Sequence, residues 1–225
     1  MTRETLDRQI QEIFDEITAL SSMVENAILD AVEALKQRDL DAARQIYAND
    51  QIINDKRFEI ENNALIMIAT QQPMARDLRV LASVLDIASE LERMGDYAKG
   101  IARIAVLTGI EPPVKPLIDL PIMAKVTVDM LHRAVQAFID ADEVSALTIP
   151  KEDDQVDALY NQIYRDLLAI MTSDAATVDR ATHLLWAAHN LERTADRVTN
   201  ICERTVFVAT GELIEIDSSD DESRI

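Results

Sequence analysis

The two halves of this 225-residue chain can be laid on one another, and that self-similarity restricts its fold more than any other feature. A shift of 103 residues puts Ala31-Val32-Glu33-Ala34 on Ala134-Val135-Gln136-Ala137, Asp50 on Asp153, Ile53 on Val156, Asn54 on Asp157 and Ile60 on Ile163. A shift of 100 puts Leu91-Glu92-Arg93-Met94-Gly95-Asp96 on Leu191-Glu192-Arg193-Thr194-Ala195-Asp196. One three-residue deletion between Ile163 and Val178 reconciles the two shifts. Three segments matching in the same order mark a tandem duplication, so one unit of about half the chain is used twice.

Periodicity makes that unit helical. From Leu78, apolar or small residues recur at Val80, Val84, Ile87, Leu91, Met94, Ala98, Ile101 and Ala105, the alternating four-and-three spacing of one buried helical seam. Leu6–Leu35 repeats the pattern through Ile10, Ile13, Ile17, Leu20, Val24, Ile28 and Ala31, and a third run passes through Ile46, Ile53, Ile60, Ala64 and Met67. Asp39 supplies an N-cap between the first two, and Pro73 falls where the third helix should begin. The prolines at 112, 113 and 116, three in five residues and followed shortly by Pro121, cannot continue a helix and read as a stiff linker. The predicted fold is all-α: two tandem three-helix bundles, six helices, over 1–110 and 122–211, joined by a linker at 111–121 and followed by an acidic, serine-rich tail at 212–225.

Forty-one acidic against 22 basic residues leave a net charge of −19, which repels nucleic acid and anionic lipid, since both are bound by neutralising phosphate. One cysteine cannot form a disulfide framework within the chain. Neither a leader-like apolar segment nor a spanning-length apolar run is present, and the expected location is cytoplasmic.

Conventional catalytic groups are sparse. His132, His183 and His189 share no metal-ligand spacing and read as surface or packing residues. Cys202 sits beside a helix seam as an inert buried thiol. What recurs is an acidic pair four residues apart, which shares one helix face: Glu92/Asp96 and Glu192/Asp196 on the third helix of each half, and Asp153/Asp157 on the second helix of the second half. Asp50/Asn54 holds the matching place in the first half. Pairs on neighbouring helices gather oxygen donors suited to hard cations such as Mg, Mn, Ca or iron; zinc with carboxylates and water is also open. An equally physical alternative is a solvated acidic face, with Arg93 and Arg193 as ordinary salt-bridge partners.

Gln72-Pro73-Met74-Ala75-Arg76-Asp77-Leu78-Arg79, followed at a fixed distance by Leu91-Glu92-Arg93-Met94-Gly95-Asp96, resembles the signature of the PhoU family of phosphate-signalling regulators, and the likeness covers roughly residues 5–212. The resemblance implies two three-helix bundles with pseudo-twofold symmetry, and metal, as iron clusters or zinc, on the repeated acidic motifs. The ligands it implies are Asp50, Asn54, Glu92 and Asp96 in the first bundle and Asp153, Asp157, Glu192 and Asp196 in the second. It further implies a non-enzymatic cytoplasmic regulator, dimeric or otherwise homo-oligomeric. Such a regulator couples the ATP-binding subunit of the phosphate ABC transporter to a sensor histidine kinase and represses the starvation response when phosphate is plentiful.

Two positions depart from the pattern. Asn54 offers an amide where the second half has a carboxylate, weakening the first site. Pro150 falls inside the expected fifth helix, so that helix either starts late, with Asp153 in its first turn, or kinks. A late start would place Asp153 where the helix dipole favours a carboxylate without metal. Beside the regulatory adaptor, a carboxylate-ligated metalloenzyme and a metal-free structural bundle remain as the other readings.

Overall fold

The computed structural model describes residues 3–216, and among them every regular element is helical. Six long helices follow one another: α1 (Arg3–Gln37), α2 (Leu40–Gln71), α3 (Arg76–Thr108), α4 (Asp119–Asp140), α5 (Asp153–Ser173) and α6 (Val178–Thr210). A single helical turn at Glu143–Ala146 and 3-10 turns at Ile149–Glu152 and Ala175–Thr177 fill the connections of the second half. The acidic run at 217–223 lies outside the described residues.

The seams predicted from spacing form the core. Ile13, Ile17, Leu20, Val24, Ile28 and Ala31 of α1 are buried, as are all eight residues of the α3 seam. Each fully buried Leu, Ile or Val contributes roughly 1.5–3 kcal/mol, far above any helix propensity difference, so packing rather than propensity holds these helices. Asp39 caps α2 as its sequence position suggested, accepting from the Asp41 and Ala42 N–H groups at 3.2 and 3.0 Å.

Two proline expectations are refined. Pro73 does not begin α3, which starts at Arg76; the chain first reverses through Gln72 and Ala75, both at positive φ (49° and 46°). Pro150 shortens the fifth helix rather than kinking it. It lacks the N–H that a continuous helix would need there. The chain therefore breaks into the Glu143–Ala146 turn, capped by Asp142, then a 3-10 turn containing Pro150, and α5 starts late at Asp153. Pro121 lies within the first turn of α4, where its missing N–H costs nothing. The proline-rich stretch ahead of it is strapped down at both sides. Arg38 donates to the Ile110 carbonyl and Arg180 to that of Pro112, each at 3.3 Å, and Lys115 bridges Asp119 and Asp166 at 2.8 and 2.6 Å.

The halves share a single core. α1 meets α4 through an edge-to-face contact of Phe14 with Phe138, centroids 5.6 Å apart. α3 and α6 run antiparallel: Arg79 reaches the Val208 carbonyl, while Gly100 faces Asn190. A Cβ on Gly100 would stand 2.9 Å from the Asn190 side-chain amide nitrogen, so glycine leaves room for that side chain, which would otherwise have to shift. Between those points the Arg197 Nε–H donates to the Tyr97 hydroxyl at 3.1 Å. Tyr97 and Arg197 are repeat equivalents, and only residues on a pseudo-twofold axis can touch their own counterparts. Arg197 Nη1 and Asn200 Nδ2 also donate to Glu90 Oε2, at 2.7 and 3.2 Å.

Candidate functional site

In the first half, α2 and α3 bring Asp50, Asn54, Glu92 and Asp96 near one another. Asp50 is only 6 % exposed, and the Asn54 amide, one turn along, donates to its Oδ2 at 3.1 Å. Burial raises the Glu92 pKa, and the Asp96 and Asp50 carboxylates push it further up. Sequence reasoning missed the group that settles the electrostatics. Lys99, three residues beyond Asp96, reaches across to α2 and donates to Asp50 Oδ2 at 2.6 Å, with Asp96 Oδ1 3.8 Å away. The hydrogen bond to Asp50 raises the Lys99 pKa and holds it protonated, and the Tyr47 ring lies 5.3 Å from the ammonium. A cavity of about 290 Å³, lined in part by Asp50, Lys99 and Asn49, opens beside the pair.

In the second half, α5 and α6 bury three carboxyl side chains: Asp153, Asp157 and Glu192 are 2, 9 and 5 % exposed. Asp153 and Asp157 stand on the first two turns of α5, a consequence of the late start after Pro150. Asp196 lies nearer the surface and accepts from Arg193 at 2.9 Å. Arg193 is itself bonded to the Tyr97 hydroxyl, the largest cause of its raised pKa, so this edge of the site is tied to the α3/α6 axis. The position equivalent to Lys99 is Thr199, 8 % exposed, whose hydroxyl has no hydrogen-bond partner among the described residues.

One of the three histidines, His189, is a surface residue that stands beside an acidic motif. His189 Nδ1 lies 3.2 Å from Glu192 Oε2, and its ring is 6.2 Å from that of Tyr160 on α5. The signal was the i,i+3 spacing of His189 and Glu192, which a search for His–His pairs passes over. His132 rests near Glu25 and His183 near Trp186, away from the acidic motifs. Cys202 is fully buried, and burial pushes its thiol up to about 12, which makes it unreactive.

Whether these residues suit a metal differs between the halves. In the first, Asp50 already accepts from Asn54 and Lys99, and Asp96 stands 3.8 Å from the same ammonium, so the set as placed does not fit a metal ion. In the second, the carboxylate oxygens of Asp153, Asp157, Glu192 and Asp196 are the right donors for a hard cation. As placed, no three His, Cys, Asp or Glu among the described residues stand together as a group ready to hold a metal.

Comparison with known proteins agrees with this architecture. The PhoU domain matches twice, over residues 5–105 and 120–205, one match to each half. The phosphate-specific transport system accessory protein PhoU homolog of Clostridium acetobutylicum is 34 % identical over 218 residues, covering 96 % of this chain and all of that one. The PhoU homolog of Aquifex aeolicus is 34 % identical over 93 % of this chain and 95 % of its own. Among solved structures, PhoU from Pseudomonas aeruginosa superposes with a TM-score of 0.86 at 28 % identity, over 92 % of this chain and 99 % of that one. The phosphate transport system regulatory protein PhoU from Streptococcus pneumoniae gives the same TM-score at 30 % identity, over 93 % and 99 %. With both halves matched and relatives aligned from end to end, the chain belongs to the PhoU family.

Proposed function

We propose that this protein is a regulatory accessory of phosphate transport that works by binding rather than by turnover. The observation that carries the reading is the end-to-end likeness to relatives named phosphate-specific transport system accessory proteins. In this reading the protein, as a cytoplasmic homodimer, couples the ATP-binding subunit of the phosphate transporter to a sensor histidine kinase and holds the starvation response off when phosphate is abundant. No described helix is long and apolar enough to cross a membrane, so contact with the transporter falls on its water-exposed parts. The charge of −19 favours protein partners over lipid or nucleic acid.

The proposed metal belongs to the second half, where Asp153, Asp157, Glu192 and Asp196 would hold iron or zinc, or a hard divalent ion such as Mg, Mn or Ca. Binding requires those side chains to draw together, and the ion would supply charge compensation and a fixed shape. Deleting the gene should leave phosphate-starvation genes switched on in high phosphate, and the tagged protein should co-purify with the transporter's ATP-binding subunit. Normal repression in the deletion strain overturns the reading. A carboxylate-ligated metalloenzyme draws support from one contact, that of His189 with Glu192, which places an acid–base group beside carboxylates. Turnover by metal-loaded protein, abolished in Glu192→Ala, would favour that alternative.

A further inference from the structure

We propose that the first half carries its own cation: the Lys99 ammonium takes the place between Asp50 and Asp96 that a metal ion would occupy, leaving only the second half open to metal. The statement about the second half rests on the function proposed above, whereas the statement about Lys99 does not.

Three observations meet here. The first is contact. A buried carboxylate needs a compensating charge, and Asp50 has it in an ammonium at 2.6 Å that also stands 3.8 Å from Asp96. Lysine is a compact point charge with three donors, the side chain that most nearly imitates a small cation among oxygens. The second is saturation. Asp50 Oδ2 accepts from both Lys99 and Asn54, which leaves that oxygen no room for a third strong ligand bond.

The third comes from the repeat. Asp50, Glu92, Arg93 and Asp96 recur unchanged as Asp153, Glu192, Arg193 and Asp196. The two charge-altering differences among the motif residues and the Lys99 position act in the same direction: Asn54 stands for Asp157, and Lys99 for Thr199. Together they make the first site two charges more positive than its counterpart, the charge of one divalent ion. The cavity beside Asp50 and Lys99 would let a hydrated ion enter if the ammonium were removed.

The test exchanges the two differing positions in the full chain. Wild type, Asp50→Asn, Lys99→Met, Asn54→Asp/Lys99→Thr, that pair with Asp50→Asn, and Glu192→Gln are stripped with chelator and equilibrated with Mn²⁺. Bound manganese is then counted by elemental analysis and by loss of the free-ion EPR signal. Asn54→Asp/Lys99→Thr should hold one more Mn²⁺ per chain than wild type, and adding Asp50→Asn should remove that ion. Mn²⁺ should raise the melting temperature of the exchanged variant above its chelated value, with the rise lost when Asp50→Asn is added. Lys99→Met, which keeps most of the side-chain stem, provides a second route to the same gain. No gain from either variant overturns the inference. So does wild-type manganese that survives Glu192→Gln and disappears with Asp50→Asn. If wild type binds none while the exchanged variant binds one, the lysine inference stands and the metal reading of the second half fails.

Discussion

Replacing Glu90 with alanine should loosen the junction between the two halves, and the structure sets the scale. Glu90 Oε2 accepts one ion-pair bond from Arg197 at 2.7 Å and one longer, weaker bond from the uncharged Asn200 amide at 3.2 Å. Such bonds contribute about 1.5–3 and 0.5–1.5 kcal/mol respectively. The Arg197 side chain is only 13 % exposed, so its orphaned charge regains little water, although Tyr97 still accepts from it. A loss of about 2–3 kcal/mol follows, below the 3–5 expected when one partner of a fully buried pair is removed. At about 2–4 °C per kcal/mol for a chain of this size, the melting temperature falls by roughly 5–10 °C. Arg197→Met alone should cost a similar amount, while the double variant should lose much less than the sum, because both charges leave together. Urea unfolding, followed by far-ultraviolet circular dichroism and by Trp186 fluorescence, measures the coupling. A coupling energy of about 1.5 kcal/mol or more is expected. Additive single variants, with coupling below about 0.5 kcal/mol, would refute the claim that this pair locks the halves together.

Other consequences can be checked more simply. Asp39→Ala removes the α2 cap and should cost about 1 kcal/mol in thermal unfolding, whereas Asp39→Ser should restore most of it. The Lys115 ammonium holds the Asp166 carboxyl below its ordinary value of 3.8. That carboxylate therefore stabilises the folded state above about pH 4, a contribution lost as pH falls through the lower folded value. Lys115→Met should accordingly be less stable than wild type at neutral pH and converge toward it in acid, as read by urea midpoints across pH; a gap that stays constant into strong acid would contradict the pairing. Cys202 should resist maleimide at pH 8, reacting on the order of a thousandfold more slowly than a free thiol until the chain is unfolded, and rapid native labelling would contradict its burial.

The helices were legible because each one buries a continuous seam. Residues such as Ile17, Leu91 and Ile101 face the core at helical spacing, and that spacing survives in the bare sequence. The Asp39 cap was legible because capping is local. The start of α3 was not: two left-handed residues, Gln72 and Ala75, have side chains that do not announce that conformation. The acidic patch of the first half was visible as a repeat, but a search for negative charges overlooks the Lys99 cation that joins two helices. Burial also divides the two patches in a way that matching motifs conceal. Asp96 is exposed and Glu92 only half-buried, while Asp153, Asp157 and Glu192 are all withdrawn from solvent. The Glu90–Arg197 bond links residues 107 apart and rests wholly on how the halves dock. Its neighbour Tyr97–Arg197 did leave a trace, since repeat equivalents are the pairs that a twofold axis brings together.

That axis bears on how the molecule came to be one chain. A homodimer of three-helix subunits must set each residue on its axis against itself, and two arginines there would repel. Covalent fusion lifts this demand for self-complementarity. Tyr97 can then face Arg197, and Glu90 can bond Asn200 while their repeat counterparts, Asn190 and Gly100, merely lie against each other. The junction is thereby asymmetric in a way that no exact homodimer can be, and each half is free to change a side chain that the other keeps.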